Sequence, residues 1–238
     1  MANWGHVLEE LEARFNVDIK ALLAKHLRSK SITDAELSAF RGELREITTR
    51  EIMKLRGTKR AEVLHEMIAI QPDSASKGRL FREYRREAMR AETARGKPVY
   101  GVPDDASPES FHGDDLKNRR TPDDIVHIHD EAKNQLGPGR YAVEDKTGEH
   151  AFKIDQAEDY ARRSYKAGKE GGGFTQTKGS KTTVYDGLMY VFSTEGEAKA
   201  AVRFMEENAI IKKVLGKEPG GIHVMFIDDF GKVERVKL

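Results

Sequence analysis

The sequence lacks cysteine altogether and has no long apolar run, and both absences narrow the possible functions. Without cysteine there are no disulfides, no thiolate zinc site and no cysteine nucleophile, so carboxylates, histidines and hydroxyl groups remain for any catalysis. The apolar stretches fall well short of the roughly 18 residues of a membrane-spanning helix, so we expect no membrane span. Residues 1–15 contain acidic side chains where a secretory signal is apolar, and we expect no signal peptide.

A surplus of one charge sign is missing as well. The 41 Lys and Arg residues are balanced by 40 Asp and Glu residues, which gives a net charge of +1. This balance argues against a protein that coats nucleic acid with positive charge, so any polyanion has to bind in a local groove. With 238 residues, of which 38% are hydrophobic and 34% charged, the chain can form one large core or two smaller ones.

The first part of the chain has the periodicity of amphipathic helices. Apolar residues recur at spacings of three and four, beginning with Val7 and Leu11. Thr33 and Glu36 have the spacing of a capping box, which predicts the start of a further helix. We therefore predict a helical region at 1–76.

The remainder of the chain, 77–238, has a different pattern. It begins with a strongly basic helical segment at 78–96, after which short β-branched runs alternate with helical stretches. The expected order of elements is α-β-β-α-β-α-β, which predicts an α/β domain with a mixed sheet flanked by helices. After the basic segment, the predicted strands and helices are at 125–128, 141–143, 154–167, 187–193, 195–211 and 221–228.

Acidic residues and a lysine flank two neighbouring predicted strands. Asp123 and Asp124 stand directly before the first strand, and the second strand ends in Glu144, Asp145 and Lys146. Because side chains alternate along a strand, Glu144 and Lys146 lie on one face. An acid from the first strand, for which we favour Asp124 over Asp123, can converge with Glu144 on one hard cation. The sequence therefore predicts a site for Mg²⁺ or Mn²⁺.

Such a site is suited to phosphodiester hydrolysis. A bound metal ion lowers the pKa of a water ligand and neutralises charge that develops on the scissile phosphate. Lys146 can orient or activate that water and stabilise the negative charge of the transition state. The predicted chemistry is metal-assisted hydrolysis of DNA or RNA.

These residues resemble the motif of the PD-(D/E)XK, or restriction-endonuclease-like, nuclease superfamily. In the next predicted helix, Gln156 and Tyr160 are similar to the Gln-x-x-x-Tyr pattern of its RecB-like branch, and their spacing places both on one helical face. The resemblance implies a restriction-endonuclease-like sheet and a Mg²⁺-dependent endonuclease. It implies that Asp124, Glu144 and Lys146 are catalytic and that the helix supports them.

The resemblance covers roughly residues 78–230 and includes one departure from the family pattern. The middle residue of the triplet, Asp145, is acidic where the family usually has an apolar residue, so Asp145 is a further candidate ligand. In many members of the family the first helix donates another acid to the metal. Here the candidate is Glu83, ranked ahead of Glu87, with a surface carboxylate paired to neighbouring arginines as the alternative.

Basic residues follow the predicted site in a segment that also contains three consecutive glycines, 171–173. We predict a flexible loop that follows the phosphate backbone of a nucleic acid beside the site, with a solvated linker as the alternative. The six basic residues are Arg162, Arg163, Lys166, Lys169, Lys178 and Lys181.

Two other functions fit parts of the sequence. His127 and His129 alternate on one face of the first strand and, with Asp130, suggest a histidine metal site or a metal-free RNase. A non-enzymatic module with an inactive nuclease-like fold would instead bind nucleic acid or protein through the arginines of 79–95 and the glycine-rich segment.

The order of the two parts has a biological implication. A short nuclease domain behind a variable helical region resembles the toxin modules of bacterial competition systems. That resemblance implies that region 1–76 serves delivery, entry or another accessory function. It further implies delivery into a target cell by a secretion system and action in its cytoplasm. It also implies a cognate immunity protein, whose acidic side chains would cover the basic cleft.

Overall fold

The computed structural model of the chain describes residues 4–27, 31–104, 120–129, 136–148, 151–169, 174–178 and 181–238. For 164–169, 174–178 and 181–183 the description is limited to the backbone. The chain forms two compact units, Met1–Glu87 with Asp229–Gly231 and Ala88–Asp228 with Lys232–Leu238. None of the helices in these ranges combines the length and the hydropathy needed to cross a bilayer.

The first unit is helical, as the apolar periodicity predicts. The capping box is present, because the Thr33 hydroxyl accepts a hydrogen bond from the Glu36 N–H while the Glu36 carboxylate accepts one from the Thr33 N–H. Arg60 donates to the carbonyl oxygen of Phe230 at 3.0 Å, which ties the later segment Asp229–Gly231 to this unit. The helices are α1 (Gly5–Phe15), α2 (Ile19–His26), α3 (Asp34–Lys54), α4 (Thr58–Ala69) and α5 (Ser74–Ala91), and α5 belongs to this unit up to Glu87.

The second unit is built on a mixed sheet. Its strand order is β10-β9-β8-β5-β4-β3, in which β8 pairs in parallel with both β5 and β9 and the other neighbours are antiparallel. The central strand β8 is buried along its whole length, as a strand covered on both faces must be. The strands of this sheet are β3 (Tyr100–Gly101), β4 (Asp124–Ile128), β5 (Gly139–Lys146), β8 (Gly187–Phe192), β9 (Gly221–Ile227) and β10 (Val233–Arg235).

Two helices pack on one face of this sheet. Helices α6 (Ile154–Lys169) and α7 (Glu195–Glu207) both contact β9, and a short 3₁₀ helix at Ile211–Lys213 packs against both helices. The core beneath them joins residues of β4, β5, β8 and β9 to the buried sides of α6 and α7. The predicted α/β class, with a mixed sheet flanked by helices behind a helical N-terminal region, is confirmed.

Two hairpins lie outside the main sheet, and one of them corrects a prediction. Strands β1 (Thr93–Ala94) and β2 (Lys97–Pro98) pair antiparallel. The segment predicted as a flexible loop continues α6 to Lys169 and then forms a hairpin of β6 (Phe174–Lys178) and β7 (Lys181–Tyr185). The physical reason is composition, since threonine, valine and aromatic residues favour extended backbone and outweigh the glycines before them.

Candidate active site

The register of β4, β5 and β8 determines which side chains share a face. Glu144 lies opposite Tyr190 of β8, and Lys146 lies opposite Phe192. Residues directly opposite each other in neighbouring strands share a face, and alternate residues of one strand do so too. Glu144 and Lys146 therefore project toward α6, on the face that carries the core.

Four predicted residues are brought together at this point. The Tyr160 hydroxyl on α6 donates a hydrogen bond of 2.6 Å to Glu144 Oε1, and Lys146 Nζ lies 2.8 Å from Glu144 Oε2. Lys146 Nζ also donates to Gln156 Oε1 at 3.0 Å. Glu144 and Lys146 are 2% and 8% exposed. The strand alternation and the helical spacing of four thus converge on one buried hydrogen-bonded cluster.

Burial sets the electrostatics of this cluster. Burial raises the pKa of Glu144, and the negative charge of Asp123 raises it further, whereas Lys146 and the hydrogen bond from Tyr160 oppose the rise. Burial and the Glu144 charge raise the pKa of Tyr160 as well, so its hydroxyl stays protonated and donates. Lys146 is thus the positive group that compensates Glu144.

The aspartate at the start of β4 that lies near Glu144 is not Asp124, which the sequence analysis favoured, but Asp123. Asp124 is opposite Val143, which points away from the Glu144 face, and Asp124 Oδ1 accepts a hydrogen bond of 2.8 Å from the N–H of Ile125. Asp123 Oδ2 instead accepts from the N–H of Asp145 at 2.9 Å, and its charge acts on Glu144. The register does not bring Asp124 to the cluster, and Asp123 takes its place. Asp145 alternates away from Glu144.

Sequence reasoning missed two contributors to the site. Arg120 donates to Asp159 at 2.8 Å and to Asp155 at 3.2 Å, both on α6 next to Gln156 and Tyr160. Tyr190 is fully buried beneath Lys146, whose Nζ lies 5.7 Å from the ring centre. No local pattern marks the Arg120 contacts, because the partners are distant in sequence. Tyr190 could have been noticed in the sequence, because it places a hydroxyl group inside an otherwise apolar strand.

The fit of a divalent cation depends on Asp123 and Glu144. Among the residues that the structure describes, no group of three or more acidic or histidine side chains is arranged to hold a metal ion. Two carboxylates are sufficient for Mg²⁺ when water and substrate phosphate complete its shell. The charge of Asp123 makes ionisation of Glu144 less favourable, and a cation would relieve that repulsion. Asp123 and Glu144 are the residues that would hold a Mg²⁺ or Mn²⁺ ion at this cluster.

Glu83, the fourth predicted ligand, belongs to the first unit. Burial and the charge of Arg79 lower the pKa of Arg45 there, and the carboxylate of Glu83 opposes the effect. Glu83 is therefore close enough to Arg45 to act on its charge, which fits the alternative of an arginine-paired carboxylate. Its role as a metal ligand stays a prediction.

The basic residues predicted to bind substrate are only partly described. Arg162 and Arg163 are half-buried on α6, and Arg162 donates to Glu158 one turn earlier. The side chains of the other four lie outside the described residues. These are Lys166, Lys169, Lys178 and Lys181.

The histidines of the rival RNase hypothesis are exposed. His127 lies on β4 opposite Arg140, and His129 follows the end of that strand. Partial burial, Arg140 and His129 lower the pKa of His127, so it is neutral near pH 7 and could act as a base. Asp130 lies outside the described residues.

Comparisons of the chain with family models, with curated proteins and with solved structures give no significant match.

Proposed function

We propose that the second unit is a metal-dependent nuclease that hydrolyses phosphodiester bonds in DNA or RNA. The observation that carries the proposal is the buried cluster of Glu144, Lys146, Gln156 and Tyr160 with Asp123 beside it. A salt bridge made only for stability does not require a second acid, a glutamine and a tyrosine around it, and such a bridge is weak evidence for stability in any case.

The hydrogen bonds of the cluster assign a role to each residue. Lys146 has three N–H donors, of which the described contacts with Glu144 and Gln156 use two, so one remains for a water or a phosphate oxygen. Tyr160 and Gln156 act as positioning residues, because each fixes an atom of the Glu144 and Lys146 pair. A Mg²⁺ ion held by Asp123 and Glu144 would lower the pKa of a bound water and neutralise phosphate charge.

A role as a toxin of bacterial competition remains part of this proposal. It is supported by the order of a helical unit and an α/β unit, which suits delivery of the second unit into the cytoplasm of a target cell. An immunity protein of the producing cell would have to cover the cluster or the basic residues beside it.

A second candidate function is a non-enzymatic module that binds nucleic acid or protein on an inactive nuclease-like fold. Two observations favour it. In the described part of the chain, no group of three or more acids and histidines is placed to hold a metal, and the amine of Lys146 is already paired.

The test is cleavage of plasmid DNA and total tRNA by the purified protein with Mg²⁺, with Mn²⁺ and with EDTA. Glu144→Gln and Lys146→Ala remove the charges of the cluster, and Lys199→Ala, an exposed lysine of α7 paired with Glu195, is the matched control. The nuclease proposal requires metal-dependent cleavage that both site variants lose and the control keeps.

The other outcomes identify the alternatives. Binding without cleavage in all four proteins, each shown to be folded by circular dichroism, would favour the non-enzymatic module. RNA cleavage that survives EDTA and is lost in His127→Ala would establish the metal-free RNase.

A further inference from the structure

An apolar pocket of about 240 Å³ opens beside the end of β5. Its walls include Phe152 and Ile154 before and at the start of α6, Phe192 at the end of β8 and Phe204 on α7. Ile154 and Phe204 remain 39% and 59% exposed, so the unit leaves two large apolar side chains at an open concave surface. Exposed apolar concavities of this kind usually bind something.

The pocket lies one strand away from the proposed active site in the sheet. Phe192, one of its walls, is the residue opposite Lys146 in the sheet. The ring centre of Phe152 lies 5.7 Å from that of Tyr190, and Lys146 Nζ lies 5.7 Å from the same Tyr190 ring. The rings of Phe152 and Tyr190 thus lie between the pocket wall and the Lys146 amine, and one polymer chain is long enough to span these two contacts.

The polar edge of the pocket excludes a phosphate and admits a nitrogen donor. Glu197 accepts hydrogen bonds from the N–H of Gly148 at 2.9 Å and from the hydroxyl of Ser193 at 2.8 Å, which fixes its carboxylate at the rim. Among the residues that the structure describes, no lysine or arginine lines the pocket. A negative ligand would be repelled, whereas the amino group of a nucleobase would find an acceptor.

We propose that this pocket holds one unpaired base of the nucleic acid whose backbone is cut at the Lys146 cluster, an inference that rests on the proposed nuclease function. Its volume is below the roughly 300 Å³ at which pockets for drug-sized ligands begin, which suits one planar ring system. A base inside a duplex cannot enter such a pocket without leaving the stack. The substrate is therefore single-stranded or locally unpaired.

The experiment measures binding of a short single-stranded oligonucleotide containing 2-aminopurine, by fluorescence, in EDTA so that no cleavage occurs. Stacking on an aromatic side chain contributes about 1–3 kcal/mol per base, so Phe204→Ala should weaken binding at least about 5-fold. Phe204→Trp should restore binding. Phe230→Ala is the matched control, because Phe230 is 69% exposed and belongs to the first unit.

Further arms separate the alternatives. An oligonucleotide with abasic sites should bind more weakly than its parent and be insensitive to Phe204→Ala, and duplex should bind more weakly than single strands. Ile154→Ala provides a second variant of the pocket should Phe204→Ala be poorly folded. Equal binding by wild type and both pocket variants would overturn the inference. A second result would also overturn it: a wild-type protein that is dimeric, and a Phe204→Ala variant that is monomeric but binds the oligonucleotide equally well. The pocket would then be a contact between two copies of the chain.

The two proposals fail in different ways. Base-dependent binding that needs Phe204, in a protein that cuts nothing with Mg²⁺ or Mn²⁺, would support the pocket and overturn the nuclease. The opposite result is metal-dependent cleavage at the same rate by wild type and Phe204→Ala, and at the same rate for single-stranded and double-stranded substrates. It would support the nuclease proposal and overturn the base-binding pocket.

Discussion

Tyr160 and Glu144 are joined by a hydrogen bond of 2.6 Å that ties α6 to β5 in the interior of the second unit. The Tyr160 ring packs edge-on at 6.4 Å from Tyr190, which also lies fully buried. The hydroxyl of Tyr190, in contrast, has no hydrogen-bond partner among the described residues. Two neighbouring buried tyrosines thus differ in whether the hydroxyl is paired, which makes them a matched pair for mutation.

Tyr160→Phe should destabilise the protein by about 1–3 kcal/mol, because it removes a buried hydrogen bond to a carboxylate and leaves Glu144 Oε1 without that donor. The free energy of unfolding in urea near neutral pH measures the loss. Cleavage, if the nuclease proposal holds, should fall together with it, because Glu144 loses one of the two groups that orient it.

Tyr190→Phe is the control and should leave stability unchanged or raise it, since a buried hydroxyl without a partner carries a desolvation cost. Equal losses in the two variants would contradict the hydrogen-bond interpretation and point to a bound water that pairs the Tyr190 hydroxyl.

The ion pair of Lys146 with Glu144 predicts a pH-dependent mutational effect. Lys146→Met leaves a buried carboxylate uncompensated, which costs about 3–5 kcal/mol when that carboxylate is ionised. Because burial raises the pKa of Glu144 and Lys146 opposes the rise, removing Lys146 raises this pKa further. An acid whose pKa is raised on folding loses stability as the pH increases through that pKa.

The difference in unfolding free energy between wild type and Lys146→Met should therefore be small at acid pH and grow as the pH rises. Urea titrations at several pH values measure it. The double variant Glu144→Gln/Lys146→Met should show no such growth, since no carboxylate remains. A pH-independent loss in the single variant would mean that packing of the lysine stem, rather than charge, is what the mutation removes.

Much of this arrangement follows from sequence because it rests on short-range periodicity. Alternation along β5 places Glu144 and Lys146 on one face, and a spacing of four places Gln156 and Tyr160 on one side of α6. Each rule acts within a few residues, so neither depends on the rest of the fold.

The choice between Asp123 and Asp124 could not be made in this way. A shift of one residue in strand register moves a side chain to the opposite face, and the register of β4 is set by the pairing of Asp124 with Val143. The contacts of Arg120 with α6 were equally inaccessible, since they join partners 35 and 39 residues apart. Long-range pairing is a property of the packed core and leaves no local pattern.

His223 predicts loss of stability in acid that is independent of the site. It is fully buried on β9, neither ring nitrogen has a hydrogen-bond partner among the described residues, and burial with the nearby Arg235 lowers its pKa to about 3. A histidine whose pKa is lowered on folding contributes full stability above its unfolded pKa near 6.5 and loses it as the pH falls. From about pH 7.5 to about pH 5 the loss is about 2 kcal/mol.

His223→Leu should abolish that part of the pH dependence, measured as the change in unfolding free energy between the two pH values. The exposed His129→Leu, as control, should retain the wild-type slope. An unchanged slope in His223→Leu would show that other groups account for the acid sensitivity.

Asp123 and Asp124 provide the sharpest test of the proposed metal site, because they are adjacent and chemically identical. Asp123→Asn keeps an oxygen that can accept the hydrogen bond from the Asp145 N–H, but it removes the charge that acts on Glu144. Loss of a metal-binding carboxylate should raise the Mg²⁺ concentration for half-maximal cleavage at least about 10-fold, the lower bound seen even for groups that only support ligands.

Asp124→Asn is the control, because Asp124 lies opposite Val143. It should lower the amount of folded protein without changing that concentration. Half-saturation by Mg²⁺ is the deciding measurement, since a smaller folded fraction scales the rate but leaves the midpoint in place. If only Asp124→Asn raised the Mg²⁺ concentration for half-maximal cleavage, the start of β4 would have to be shifted by one residue, so that Asp124 and not Asp123 lies beside Glu144.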